Sequence, residues 1–280
     1  MREGQLSSGR FAWALPIVAA GIVIVGLTGG SIVITGLLTT GPPDTPSASE
    51  AVDRVEDLRS VQLLSNTTRQ VNGNNSWVVS EQTVRTGTGE FRSEIVATNG
   101  SQAGTGSLTV SNGSVRLVYL AESDRAFRST VEESEQSDLK TQVKSLFGAV
   151  GDELERSIPI FPAFSATGAD DSSAEWRDTP VTVEYRGVET VAGRESYVLR
   201  LEPTVDDARL VHNTLWFDRE FLYPIQYHRV IDRPEGRYEF VSTPQTVEFN
   251  PSLEEDPFEL NAEAIPSDMP VVETERFDSR

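Results

Sequence analysis

Hydrophobic positions along the chain change period several times, and each change marks an element. "EAVDRVEDLRSVQ" (50–62) sets Val52, Val55, Leu58 and Val61 at helical spacing. From there to Thr130, apolar residues alternate with polar ones, and "NGNN", "GTG", "NGSQAGTG" and "SNGS" supply turns. Strands are expected near 62–71, 76–86, 90–97, 106–111, 114–120 and 125–130. "SDLKTQVKSLFGAVGDELERSI" (137–158) returns to helix. Leu139, Val143, Leu146, Phe147, Val150 and Leu154 form one stripe behind a Ser137 N-cap. Strand patterns resume at 180–187, 196–202, 213–218, 224–231, 237–242 and 245–249. This order lacks βαβ alternation and so argues against a parallel nucleotide-binding sheet. It predicts an α+β domain, a large curved antiparallel sheet with two helices against one face.

Several strands carry apolar residues on both faces. In "TLWFDREFLYPIQYHRVI" (214–231) Leu215, Trp216 and Phe217 are consecutive, whereas a half-solvated strand alternates. "VRLVYL" (115–120) and "SYVLRLE" (196–202) behave similarly. One face packs the helices, and the remainder has the composition of a cavity lining. "SIPIFPAF" (157–164) adds Ile158, Ile160, Phe161 and Phe164, broken by Pro159 and Pro162. It reads either as a buried core connection or as a lid over an apolar cavity.

From Phe11 to Pro43 no residue is charged, and the apolar run 11–38 exceeds the ~20 residues that span a bilayer. A signal peptide has a core of roughly 7–15 residues and a nearby small-residue cleavage site. Here the one candidate site, "SAS" (47–49), lies well downstream, so a retained signal anchor is expected. Arg2 and Arg10 precede the run, which places residues 1–10 in the cytoplasm, 11–38 across the cell membrane and everything after Thr40 outside. Asn66, Asn74, Asn99 and Asn112 each begin an N-x-[ST] sequon, in keeping with an exported surface and candidate N-glycosylation. The segment 39–49 is a Pro-rich stalk, 50–265 the domain, and 266–280 a loose acidic tail.

Acids outnumber bases 43 to 24, a formal charge of −19. Nucleic acid and anionic lipid surfaces are disfavoured as partners by that field. Lys140 and Lys144 are the only lysines and there is no Cys. Many carboxylates with almost no Lys and no Cys suggest an extreme halophile. Disulfides, thiolate metal sites and Cys nucleophiles are excluded.

Catalytic chemistry is thin, and no enzyme activity or cofactor is expected. His212 and His228 lack metal-ligand spacing, and no metalloprotease, nucleophile-elbow or phosphate-loop motif is present. The carboxylate runs 131–138 and 168–173 lack the alternation of a calcium loop and read as solvated loops.

The order of motifs in the second half resembles the LolA-like outer-membrane-lipoprotein-sorting family. Those motifs are Leu215-Trp216-Phe217-Asp218, Pro224-Ile225, Val247-Glu248-Phe249-Asn250-Pro251 and Phe258-Glu259-Leu260. Ser111-Asn112-Gly113 with Tyr119 matches the family's earlier hairpin, and the resemblance covers nearly all of 50–261. It implies an incomplete β-barrel with helices on the concave face, enclosing a cavity for acyl chains. Arg85, in "VRTGTGEFR", takes the place of the family's lid-contacting base, without the Pro that follows it there. A shuttling carrier is soluble, whereas this chain carries an anchor. The expectation is therefore a membrane-tethered, archaeal version that binds acyl or isoprenoid chains or a lipid-modified protein. Ile158, Ile160, Phe161, Phe164, Trp216, Tyr227 and Arg85 are its lid and cavity candidates. The alternative is a regulatory or scaffold module for a protein partner, without lipid cargo.

Overall fold

The computed structural model describes residues 45–100, 104–131, 138–154, 157–159, 161, 176–253, 257–260 and 271–273. The expected anchor, the stalk up to residue 44, Ile160, Phe164 and most of both carboxylate runs lie outside the described residues. Among the described residues no helix is long and apolar enough to cross a membrane. Thr40–Arg280 is one compact unit, and the core lies wholly within it, so this unit holds the contacts its own fold requires.

Helix α1 (Ala48–Glu56) opens with a capping box. The Ser47 amide donates to Glu50 Oε2 at 2.7 Å, and the Glu50 amide donates to Ser47 Oγ at 3.3 Å. It stops before Val61, which the helical spacing had assigned to it. The Asn250 carboxamide oxygen accepts from the Arg59 amide at 2.7 Å and the Ser60 amide at 3.3 Å. Those donors are thereby turned away from the helix, and Ser60 begins β1. Helix α2 (Leu139–Gly148) is capped by Asp138 rather than Ser137, and it ends well before the apolar stripe does. Gly148 and Gly151, the latter at φ +87°, break it. Val150 and Leu154 instead reach the edge of the sheet, where the Leu154 amide donates to Val181 O at 2.9 Å.

The described residues form one curved, open sheet. β1 (Ser60–Val71), β2 (Asn74–Arg85), β3 (Glu90–Thr98), β4 (Leu108–Asn112), β5 (Val115–Leu120) and β6 (Arg125–Thr130) make one meander. β7 (Val181–Val191), β8 (Arg194–Pro203), β9 (Leu210–Asp218), β10 (Pro224–Arg233) and β11 (Gly236–Phe249) make the second. Antiparallel pairing of β1 with β11 joins them. The two strands expected at 237–242 and 245–249 are one, because a bulge at Leu64/Ser65 lets pairing continue past Pro244. Within the tail, Val271–Glu273 forms β12, parallel to β6.

Both helices pack on one face. There Val61 and Leu63 of β1 join Leu199, Leu215, Phe217, Ile225 and Phe240 in a core completed by Ala51, Val55, Val143 and Leu146. Further along β1 and β2 the same face turns polar, with Ser65 Oγ 3.3 Å from Ser80 Oγ and Thr67 Oγ1 donating to Ser242 at 3.1 Å. The hydrophobic load is thus carried by the second meander. A small cluster of Leu117, Ala126 and Tyr119 lies in the first, with Leu260 packed against it.

Candidate functional site

Three strands build the site. Tyr197, Leu199 and Leu201 of β8, Leu215 and Phe217 of β9, and Tyr227 and Ile231 of β10 are buried on the helix-bearing face. The register sets them side by side: Tyr197 beside Phe217, Leu199 beside Leu215, Leu215 beside Tyr227. Trp216 necessarily points the other way, which resolves the three consecutive apolar residues.

Two elements cover this face. Phe147 of α2 stands edge-on to Phe217 at 5.3 Å and to Tyr197 at 6.1 Å between ring centroids. Phe161, in the connection from α2 to β7, approaches Phe217 at 5.7 Å, and Ile158 is buried beside the same core. The connection closes on itself at its neck: the Ile158 amide donates to Arg177 O at 2.8 Å, and Arg177 Nε donates to Ile158 O at 3.4 Å. Trp176, just inside the neck, is 1% exposed.

Two polar features lie under the cover. Arg229 is 1% exposed, its guanidinium carbon 4.0 Å from the Trp176 ring centroid and 5.2 Å from that of Tyr227. Asn213 lies directly opposite Arg229 across β9 and β10 and is fully buried. Arg229, Asn213 and Trp176 were not among the candidates. A signal existed for Arg229: strand period places it with Tyr227 and Ile231, a cation on an otherwise apolar face.

The candidates separate cleanly. Ile158, Phe161 and Tyr227 share the covered face. Trp216 is half-buried on the opposite face, where its indole Nε1 donates to Glu189 at 2.7 Å. Arg85 is also on the far side, because register pairs it with Ser60 and Glu90 while Val84 meets Val61. It bonds Glu90 at 2.7 Å and lies 4.8 Å over the Phe258 ring, so the lid-contacting place given by the resemblance is not where its side chain lies.

The motif polar residues serve the backbone. Asp218 Oδ1 accepts from the amides of Glu220 at 3.0 Å and Phe221 at 2.9 Å, and its carboxylate pairs with Arg194. This turn feeds Pro224 into β10. Asn112 Oδ1 accepts from the Ser114 and Val115 amides at 3.1 and 2.9 Å, and a side chain at Gly113 would strike Thr88 O.

His212 and His228, distant in sequence, meet on the far face with ring centroids 4.9 Å apart, and His228 Nε2 lies 2.7 Å from Glu239 Oε1. Burial, then the Arg200 charge, holds the His212 pKa below its ordinary value. Among the described residues no group of three or more His, Asp or Glu side chains could hold a metal ion. A cleft of about 650 Å³ beside the neck is lined by Asp152, Glu153, Leu154, Ser157, Asp178, Thr179 and Pro180, too acidic to take hydrocarbon.

No family model and no curated protein matches the chain. Among solved structures it is similar to an uncharacterised conserved protein from Thermus thermophilus, with 13% identity over 81% of this chain and 99% of that one, TM-score 0.43. It is also similar to a LolA superfamily protein from Nitrosomonas europaea, with 10% identity over 75% of this chain and 96% of that one, TM-score 0.32. A third is the MucA/MucB complex of Pseudomonas aeruginosa, with 16% identity over 77% of this chain and 62% of that one, TM-score 0.41.

Proposed function

We propose that the domain binds a lipid chain, free or attached to a protein, on the helix-bearing face, with the connection between α2 and β7 as its cover. The observation that carries this reading is Phe161, fully buried on an apolar sheet face yet belonging to a connection rather than to a helix or strand. Each buried methylene of a bound chain contributes about 0.8 kcal/mol, so a chain can replace the cover's contacts without any charged partner. In the same proposal the chain is non-catalytic, works in high salt, and is held at the outer side of the cell membrane by residues 11–38.

The test is mass spectrometry of organic extracts from residues 40–280, purified from the native host in molar salt without detergent. A stoichiometric lipid or lipid-modified peptide is expected. A folded, lipid-free protein overturns the reading.

A second reading, a scaffold for a protein partner, is favoured by the β6 edge. β12 adds to it in parallel, and its exposed Val271 and Val272 contribute nothing to the core. An edge that accepts an extended segment of its own chain has the geometry to accept one from a partner. A lipid-free extract together with a peptide-sensitive β6 edge would select this reading.

A further inference from the structure

The two edge strands of the main sheet are finished differently. At β7 the edge takes bridges from Val150 and Glu153, residues just after α2. At β6 the covering strand comes from the far end of the chain. β12 pairs with β6 in parallel over three positions, Val271 with Ala126, Val272 with Phe127 and Glu273 with Arg128. Parallel pairing is the slightly weaker arrangement per residue. Val271 and Val272 remain 41% and 52% exposed, so their side chains bury little surface. Glu273 and Arg128 approach to 3.9 Å with both side chains at least half exposed, a geometry that contributes little stability. Among the described residues, β12 is therefore held mainly by ladder hydrogen bonds, which any extended chain can supply.

The β6 edge has a charge that the chain as a whole does not. It carries Arg125 and Arg128, both exposed, and no acid, in a chain of 43 acids and 24 bases. Cations on an edge strand discourage pairing with a second copy of the same edge. They favour a strand that brings a carboxylate to the matching position, as β12 does with Glu273. Glu122 and Asp124 precede β6 in sequence and acids follow it from Glu132, so the cationic stretch is confined to the strand itself.

We infer that the β6 edge docks an extended, acidic segment of a partner protein, and that β12 is the competing occupant built into the chain. This deepens the scaffold reading, on which it rests, by naming the partner's chemistry and the means of its regulation. It concerns the first meander, whereas the proposed lipid face lies on β8–β10 of the second. A docking segment supplies backbone amides and carbonyls to the ladder and a carboxylate to Arg128. Tethering holds β12 at a high effective concentration beside the edge, so a partner binds only as far as β12 yields its place.

The test is fluorescence anisotropy of a labelled peptide copying residues 268–277, DMPVVETERF, titrated with residues 40–280 at the lowest salt in which the domain stays folded. Successive strand amides point to opposite sides, so the double variant Val271→Pro, Val272→Pro removes one that faces β6. The peptide should bind that variant about tenfold or more tighter than it binds the parent. A peptide carrying Glu273→Lys and Glu275→Lys should bind the variant about five- to tenfold weaker. Adding Arg128→Glu to the variant should reverse that order. If the proline variant does not fold, Glu273→Lys in the parent loosens β12 and should raise binding of the acidic peptide about threefold. Equal binding of the two peptides overturns the acidic partner and leaves edge docking standing. Equal binding by parent and proline variant overturns the competition by β12. No binding of either peptide to the variant overturns docking at this edge. The scaffold reading fails separately, on a stoichiometric lipid in the organic extract, whatever the peptides do.

Discussion

Phe161 meets Phe217 edge-on, with ring centroids 5.7 Å apart and planes at 79°. Phe147 meets the same ring at 5.3 Å and 75°. A residue of β9 is thus contacted by both a helix and a connection, and the two differ in how they can let go. Phe147 is tied into α2 by its backbone. Phe161 is restrained by its own burial and by the neck at Ile158 and Arg177.

Hydrogen exchange separates a cover from a core. The Ile158 amide should exchange through a local opening, faster than the Leu199 amide of β8 and with little dependence on denaturant. Phe161→Ala should accelerate Ile158 further, since truncating a buried Phe removes about 3–5 kcal/mol. Trp216→Ala, on the opposite face, should leave the local opening unchanged. If Ile158 and Leu199 exchange together with the same denaturant slope, the connection is core and the lid reading is lost.

Periodicity was enough to find the strands from β1 to β10 to within about four residues, because each strand buries one face, but it split β11 in two and ran both helices several residues past their ends. It misplaced the ends where a polar side chain intervened. Val61 fits the helical stripe of α1 equally well, and contacts distant in sequence decide that it belongs to β1: Asn250 holds Arg59 and Ser60, and Val61 pairs with Val84 and Phe249. Leu154 fits the stripe of α2, but two glycines and the open edge of β7 claim it. The site was legible in part. Apolar residues on a Pro-broken connection pointed to Ile158 and Phe161. Trp216 lies on the opposite face, and consecutive apolar residues do not say which of them faces the helices. Asn213 and Trp176 carried no local signal, since their role depends on register and on where the connection lands.

Asn250 makes a falsifiable claim about the motif it belongs to. It holds Arg59 and Ser60 through its oxygen, donates to Asp57 O at 3.1 Å, and sits at φ +54°. Asn250→Ala should destabilise the domain by about 1–3 kcal/mol in urea unfolding. Asn250→Gly should cost less, because glycine tolerates that backbone conformation. An Ala variant as stable as the parent would mean the motif asparagine is retained for something other than this junction.

Stability should fall on the acid side through His212. Its folded pKa lies below the ordinary value of 6.5, first through burial and then through Arg200 and His228, with Glu239 and Glu202 opposing. Well above 6.5 the imidazole is neutral in both states and contributes nothing. As pH falls through 6.5 toward the folded pKa, the unfolded chain takes up the proton first and the native state loses stability. His212→Asn removes that proton uptake. Urea midpoints of the variant should therefore decline less between pH 7 and pH 5 than those of the parent. Parallel pH profiles would show that the His212 environment is the same folded and unfolded.

The four sequons are not equivalent once the sheet is formed. Asn74, Asn99 and Asn112 are exposed at strand ends and turns. Asn66 lies mid-strand in β1, between Val79 of β2 and Thr243 of β11, half-buried with its Oδ1 enclosed. To modify it, the glycosylating enzyme would have to bind a backbone that is already paired on both sides. In a glycosylating host, with the domain exported as proposed, glycopeptide mass spectrometry should find modification at Asn74, Asn99 or Asn112 and none at Asn66. Asn112 can be modified without loss of its turn, because its oxygen makes the turn bonds while the sugar attaches to nitrogen. A glycan on Asn66 would show that β1 is open when the enzyme meets it. Bare asparagines at all three exposed sites, in protein from a host that glycosylates its other surface proteins, would count against export.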